Sequence, residues 1–328
     1  MTGMTRSTLA SRTTARRPFR AARLTIAVAT AFALAVLAGC AGGSAEQADP
    51  APPAADASFP VTITDDASRT VTIESEPVRI VSLAPANTEI LFALGLGEKV
   101  VGVTSYDDYP AEVADIAKVG DFAGPNLEAV AAADPDLILA TTGVQADVIG
   151  KLEALGATVL AVDPQTLAGL YSDIGAIGEA TGASDAADEL VSSMQSDVSE
   201  IEQAVGSAEP VTAFVEIGQN PLFTAGAGTL LGELIELGGG DNVVKEPGYV
   251  PYSTEQLVKD DPAVYLATKG SATDPAAIEQ RAGYKGLSAV ENGRVVILDD
   301  NLVSRPGPRI VEGLRQIAEG LHPDAFGQ

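Results

Sequence analysis

The sequence predicts an α/β protein made of two α/β lobes with mainly parallel sheets, joined by one long helix, with a cleft between the lobes. Three observations support this prediction. Short apolar runs alternate with helical patterns in both halves of the chain, an unbroken helical pattern lies at its midpoint, and one 18-residue segment recurs in each half. Alternating strands and helices are typical of a parallel sheet that is covered by helices.

The first half begins with a predicted hairpin and continues as an alternating α/β lobe. Val61–Thr64 and Thr70–Ile73 alternate apolar and polar residues on either side of a polar turn at 65–68, which is typical of a hairpin. The strands that follow are predicted at 78–83, 100–104, Leu137–Ala140 and 158–162, and the helices at 87–94, 127–133, 146–155 and 167–180.

The second half repeats this style. Its predicted strands are 211–216, 264–267 and Val295–Leu298, and its predicted helices are 229–237, 254–258, 276–281 and 309–321. The resulting domains are an N-terminal lobe at 60–183, a linking helix at 184–206 and a C-terminal lobe at 207–328.

The midpoint helix is predicted from Ser184–Val205, which contains neither Gly nor Pro. Its apolar residues recur at spacings of three or four positions, apart from the adjacent Leu190 and Val191, and form one stripe with acidic residues off it. Twenty-two helical residues span roughly 33 Å. Such a helix could pack on the surface of a single lobe, but its central position favours a connection between two lobes.

The internal repeat aligns 126–143 with 253–270 without a gap, and seven of the 18 positions are identical. Each copy is predicted to be a short helix, an Asp-Pro stop and a strand. Glu128 and Glu255 occupy the same position in the two copies. An acidic residue in the first helical turn stabilises the helix N-terminus. The alternative is that each lobe presents one acidic docking residue to a partner with matching basic sites.

Composition excludes several classes of function. The 328 residues include 20 Lys+Arg, 45 Asp+Glu, one Cys and one His, with a net charge of -25. Such an acidic chain is unsuited to nucleic acid, one His excludes a multi-histidine metal site, and one Cys excludes a disulfide framework. The chain also lacks a phosphate-binding loop and a nucleophile elbow. We therefore expect no catalytic residues, no metal site, no cofactor and no enzyme activity.

The N-terminal segment is predicted to direct export. Residues 1–39 carry six Arg and no acidic residue, and their apolar run at 24–37 is too short to span a membrane. Small residues precede Cys40, the only cysteine, which predicts a signal peptide at 1–39 and lipidation of Cys40. The alternative is an ordinary signal peptide with a chance cysteine. Residues 40–59 are predicted to form a flexible tether to the membrane. The pair Arg16-Arg17 leaves both general and twin-arginine export open.

Candidate ligand-binding residues follow the predicted strands, because ligands of open α/β sheets bind beyond the carboxyl ends of the strands. These exits contain aromatic and polar side chains, which suit a flat and partly apolar ligand. The candidates are Asn87, Tyr106, Phe223, Tyr252, Asn301, Leu302, Val303, Ser304 and Arg305. Each aromatic residue could instead serve only local packing.

Several motifs resemble those of the solute-binding proteins of ABC importers for iron-siderophores, haem and vitamin B12. They lie at 78–95, 101–110, 126–128, 133–138, 220–224 and 308–310. The resemblance runs from about Val61 to His322. It implies two lobes bridged by a long helix, binding of a small metal chelate, and delivery to an ABC permease and its ATPase outside the cytoplasm. Glu128 and Glu255 match the acidic residues with which this family docks on its permease. We expect a monomer.

Within this family the chain is most similar to the cobalamin-binding branch, through Ser105–Pro110 and Asn220–Thr224. That similarity places Tyr106 against a corrin and 301–305 on the opposing wall. The branch has aromatic residues where this chain has Leu302 and Val303. A ferric siderophore is therefore an alternative ligand, and Arg305 or Arg309 could bind its anionic groups. A two-lobe extracytoplasmic enzyme and a signalling receptor are the remaining alternatives.

Overall fold

The computed structural model describes residues 59–272 and 274–327. The predicted signal peptide and Cys40 lie outside the described residues. Within the described part of the chain, no helix has the length and apolar character needed to cross a bilayer.

The first lobe is built on a fully parallel sheet. A hairpin of β1 (Val61–Thr64) and β2 (Thr70–Ile73) precedes it, and the four strands of the sheet lie in the order β4-β3-β5-β6. These strands are β3 (Ile80–Ser82), β4 (Val100–Gly102), β5 (Leu137–Ala140) and β6 (Val159–Ala161). The intervening helices are α1 (Pro85–Ala93), α2 (Leu127–Ala132), α3 (Ala146–Ala154) and α4 (Leu167–Thr181). The sequence prediction for this lobe is confirmed element by element.

After the long helix α5 (Ser184–Val205), the second lobe contains a mixed sheet. Its strands are β7 (Val211–Gln219), β8 (Leu222–Ala225), β9 (Gly240–Asn242), β10 (Tyr249–Pro251), β11 (Val264–Thr268) and β12 (Val295–Leu298). Its helices are α6 (Leu230–Leu237), α7 (Thr254–Asp260), α8 (Pro275–Glu279), α9 (Ser288–Glu291), α10 (Asp300–Val303) and α11 (Ile310–Leu321).

Strands β7, β11 and β12 were predicted and pair in parallel, and β9, which was not predicted, adds to β7 in parallel. Strands β8 and β10 were also not predicted, and they run antiparallel. Strand β8 returns on β7 after only Asn220 and Pro221, and a connection of two residues can join only antiparallel neighbours.

Helix α5 packs against α4 from the first lobe and α11 from the second. Its buried stripe consists of Ala187, Met194, Val198, Ile201 and Val205. These side chains belong to one hydrophobic cluster that also contains Ile80 of the first sheet and Val215 of the second. The helix therefore contacts both lobes rather than lying on one.

The two copies of the internal repeat fold alike. Asn126 and Ser253 cap α2 and α7 by accepting backbone hydrogen bonds with their side chains. Asp134 and Asp261, each directly before a proline, have positive φ angles of 49° and 40°. Asp tolerates this left-handed conformation better than most residues, and the following proline prevents the helix from continuing. The repeat is thus one helix–stop–strand unit used once in each lobe.

Asp173 lies on α4, which packs against β1 of the hairpin. Its side chain is buried, and one of its carboxylate oxygens has no hydrogen-bond partner. Burial raises the pKa of Asp173 to about 8, and the nearby carboxylates of Asp66 and Asp163 raise it further in the same direction. Asp173 therefore holds a proton at neutral pH in the folded protein.

We predict that Asp173→Asn makes the stability of the folded protein less dependent on pH between about pH 4 and about pH 8. The folded state keeps a proton that the unfolded chain loses above its ordinary pKa of 3.8, so the contribution of this carboxyl group to stability is fully present below about pH 4, is lost progressively as the pH rises, and is gone above about pH 8. The free energy of unfolding of the variant, relative to the wild type, should increase from about pH 5 to about pH 9. Urea titrations at several pH values measure this difference.

Asp188→Asn is the matched control, since Asp188 is exposed on α5. Its difference from the wild type should stay constant with pH. A constant difference for Asp173→Asn as well would contradict the assignment.

Candidate functional site

A cavity of about 530 Å³ opens at the carboxyl ends of the four parallel strands of the first lobe. All four strand exits contribute to its wall, and a loop between α10 and α11 of the second lobe covers one side. The lining residues are Ala84, Pro85, Ala86, Asn87, Tyr106, Asp121, Phe122, Ala123, Thr141, Val162, Asp163, Ser304, Arg305 and Pro306. This is the position at which open α/β sheets bind ligands, and the volume is ordinary for a small-molecule site.

One buried glutamine holds three segments of the cavity wall together. The Gln145 amide nitrogen donates to the carbonyl oxygens of Leu83 and Phe122, both at 2.7 Å, and its amide oxygen accepts from the Thr141 backbone N–H at 3.0 Å. Gln145 is fully buried, so these bonds replace its bonds to water. The Asn87 amide adds a further link by donating to the Ala140 carbonyl at 3.3 Å.

Tyr106 extends from a loop that a buried carboxylate fixes from beneath. Asp107 accepts hydrogen bonds from the hydroxyls of Thr88 and Thr104 and from the Thr104 backbone N–H. Burial raises the pKa of Asp107, whereas the hydrogen bonds from the two threonines act in the opposite direction. The Tyr106 side chain, by contrast, is 60% exposed, and Tyr106 lines the cavity. A rigid loop thus presents an aromatic ring that has little packing of its own.

The two lobes are connected beside the cavity by arginine–carboxylate contacts. Arg305 lies 2.5 Å from the Asp108 carboxylate, 3.4 Å from the Tyr106 carbonyl oxygen and 3.5 Å from Glu89. The pKa of Asp108 is lowered, chiefly by its hydrogen bond from Arg305. Asn301 also donates to Asp108, at 3.3 Å.

Arg309 makes the second contact between the lobes. Its guanidinium binds the buried Glu89 carboxylate through two hydrogen bonds of 2.6 and 2.9 Å and lies 3.9 Å above the Tyr109 ring. Glu89 in turn raises the pKa of Arg309. A two-point arginine–carboxylate pair with an aromatic ring behind it has a defined geometry, which fixes the start of α11 against α1.

The structure brings four of the predicted ligand-binding residues together, since Asn87, Tyr106, Ser304 and Arg305 all line the cavity. Asn301 lies beside it, in contact with Asp108. Leu302 and Val303 are buried, and neither lines the cavity. Their contact with a ligand stays a prediction.

Phe223 and Tyr252 lie in the second lobe, away from the cavity lining. The Tyr252 hydroxyl donates to Asp260, and its ring lies 5.3 Å from that of Phe214, between ring centres. Burial raises the pKa of Tyr252. Both residues are half-buried, and their predicted role in binding also stays a prediction.

Sequence reasoning missed Asp121, Phe122, Thr141, Val162 and Asp163 as wall residues. Thr141 and Asp163 directly follow the strand predictions at Leu137–Ala140 and 158–162, so the rule of strand exits could have found them. Asp121 and Phe122 lie between elements with no comparable signal.

Glu128 and Glu255 are both exposed in the first turns of α2 and α7. They occupy equivalent positions of the repeated unit. Among the described residues, no group of three or more His, Cys, Asp or Glu side chains is arranged to hold a metal ion.

Comparisons with known proteins agree with this architecture. A family model described as "Periplasmic binding protein" matches residues 80–302. The chain is 41% identical to the Bacillus subtilis ABC transporter substrate-binding lipoprotein YvrC, with 93% of this chain and 98% of that protein covered. It is 32% identical to a cobalamin-binding protein of Halobacterium salinarum, with 83% of this chain and 79% of that protein covered.

Among solved structures, a possible iron-binding, periplasmic solute-binding protein from Staphylococcus epidermidis matches with a TM-score of 0.68 and 33% identity. The match covers 77% of this chain and all of that one. With the family model spanning more than half of the sequence, the chain belongs to the periplasmic binding protein family, as a substrate-binding protein of an ABC transporter and not an enzyme.

Proposed function

We propose that this protein captures a corrinoid in the cavity beside Tyr106 and delivers it to an ABC permease, while a lipid on Cys40 holds it at the outer face of the membrane. The observation that carries this proposal is the exposed Tyr106 ring at the mouth of a cavity between the two lobes. The relatives named for cobalamin binding support the choice of ligand.

The chemistry of the cavity wall suits a flat macrocycle with polar edges. Tyr106, Phe122, Pro85 and Pro306 supply aromatic and apolar surface. The amide of Asn87, with Thr141 and Ser304 nearby on the wall, can hydrogen bond to the amide groups that surround a corrin ring. Apolar surface with a few placed polar groups is the usual composition of a site that binds one small molecule.

A ferric siderophore or haem is the second candidate ligand. The observation that favours it is Arg305, a cation on the cavity wall that could pair with an anionic chelate. The similarity to a possible iron-binding protein is consistent with this alternative.

Delivery would use the two exposed acidic residues of the repeat. Glu128 and Glu255 lie on equivalent first helical turns, one in each lobe, so a permease could contact both lobes at once with two basic sites. Because both residues lie outside the cavity lining, docking and ligand binding would be separable.

We predict that Tyr106→Ala weakens binding of cyanocobalamin about tenfold or more, since a lost aromatic contact of roughly 1.5 kcal/mol corresponds to that factor. Titration calorimetry on the purified full-length chain measures the dissociation constant. Leu155→Ala, at an exposed apolar residue outside the cavity lining, should leave the constant unchanged. Equal dissociation constants for the wild type and both variants would show that Tyr106 does not contribute to the binding site.

Charge reversal at the docking residues should separate binding from transport. We expect cells carrying Glu128→Lys/Glu255→Lys to lose uptake of labelled cobalamin, while the purified variant binds cyanocobalamin as well as the wild type does. Glu189→Lys/Glu200→Lys is the matched control, because it reverses two exposed charges on α5. Normal uptake by cells that carry the docking variant would contradict the docking role of these residues. It would favour a receptor that signals through a partner and takes no part in uptake.

The lipid anchor is tested by metabolic labelling with a radioactive fatty acid. Cys40→Ala should abolish incorporation of the label, because a cysteine sulfur is required for attachment. Ser44→Ala, four residues further on, should be labelled normally. Labelling of the Cys40→Ala variant would show that the lipid is attached elsewhere, and an unlabelled wild type would show that there is no lipid anchor.

A further inference from the structure

Three charged side chains line the cavity, namely Asp121, Asp163 and Arg305. The electrostatic potential that acts on a ligand depends on which of these charges the protein already neutralises. The hydrogen bonds and ion pairs around each side chain show which charges are neutralised.

The positive charge of Arg305 is already neutralised. Its guanidinium lies 2.5 Å from Asp108, with Glu89 at 3.5 Å. Glu89 also binds Arg309 at two points. The two arginines and the two carboxylates therefore cancel in charge, and an anionic ligand would have to compete with Asp108 and Glu89 for Arg305. The lowered pKa of Asp108 keeps this carboxylate ionised across the neutral range.

The two aspartates on the wall are not neutralised in this way. In the described part of the chain, neither Asp121 nor Asp163 lies within ion-pair distance of a Lys or Arg side chain. Asp163 accepts a hydrogen bond from the Thr142 hydroxyl, and its backbone N–H donates to Asp66 at 2.5 Å, which brings another carboxylate close to this wall. Asp121 accepts from the Gly124 backbone N–H at 2.6 Å.

We infer that the cavity selects neutral or cationic metal chelates against anionic ones, and that Asp108 is the residue that sets this selectivity. The inference rests on the proposed function and narrows its ligand class. Asp163 and Asp121 repel an anion, and Asp108 pairs with Arg305, the one cation among the described residues that line the cavity. Haem with two propionates and catecholate ferric complexes are thereby disfavoured, while corrinoids of zero or positive charge are accepted.

The test uses two ligands that share one shape. Cyanocobalamin is neutral, and its monocarboxylic acid derivative, in which one side-chain amide is hydrolysed, carries one negative charge. We expect the wild type to bind the neutral form about tenfold more tightly, and this ratio to decrease as salt screens the charges. A wild-type ratio near one would overturn the inference.

Asp108→Asn should reduce this ratio to about one, because it releases Arg305 for the anionic group. Asp108→Glu, which keeps the charge, should retain the discrimination, and so should Asp188→Asn, an exposed site on α5. A general loosening of the loop would weaken both ligands alike and leave the ratio unchanged, so an unchanged ratio in Asp108→Asn would contradict the role of Asp108. Asp163→Asn is a second variant, expected to reduce the ratio through loss of repulsion.

Ferrioxamine B, a cationic iron complex, and haemin, an anionic one, separate this inference from the proposed function. Binding of ferrioxamine B without any binding of corrinoids would refute the corrinoid proposal and support the charge selectivity. Tighter binding of haemin than of cyanocobalamin and ferrioxamine B by the wild type would refute the charge selectivity.

Discussion

The pairing of Arg305 and Arg309 with Asp108 and Glu89 is the constraint on which the site depends. These contacts join the loop before α11 in the second lobe to α1 and to the loop that carries Tyr106 in the first lobe. Glu89 is buried, so leaving it without its arginine partner would place an uncompensated charge in the protein interior. The contacts therefore hold the two walls of the cavity in one arrangement and also decide its charge.

Helix α5 supplies the framework for that arrangement. It contributes one apolar stripe to a core that reaches strands of both sheets, so the relative position of the lobes is set by continuous packing as well as by the ion pairs. The first lobe then presents four parallel strand exits at one edge, and the cavity forms there.

The sequence predicted what depends on local pattern. The bounds of α5 follow from its lack of Gly and Pro, and the exits at Asn87 and Tyr106 follow from the alternation of strands and helices. Strand β10 was missed because Tyr249–Pro251 lies in a Pro- and Gly-rich stretch with no apolar alternation. The pair of Arg305 with Asp108 joins residues 197 positions apart, and Gln145 bonds to a carbonyl 62 positions away. The spacing of residues in the sequence does not predict such contacts, because they depend on how separate helices, strands and loops pack together.

A crystal structure of the full chain with cyanocobalamin is the most direct test. We expect a corrin between the lobes, with its face against Tyr106, its edge near Asn87 and Ser304, and the contact between Arg305 and Asp108 intact. A corrin bound on the second lobe alone, beside Phe223 and Tyr252 with the cavity empty, would contradict this expectation.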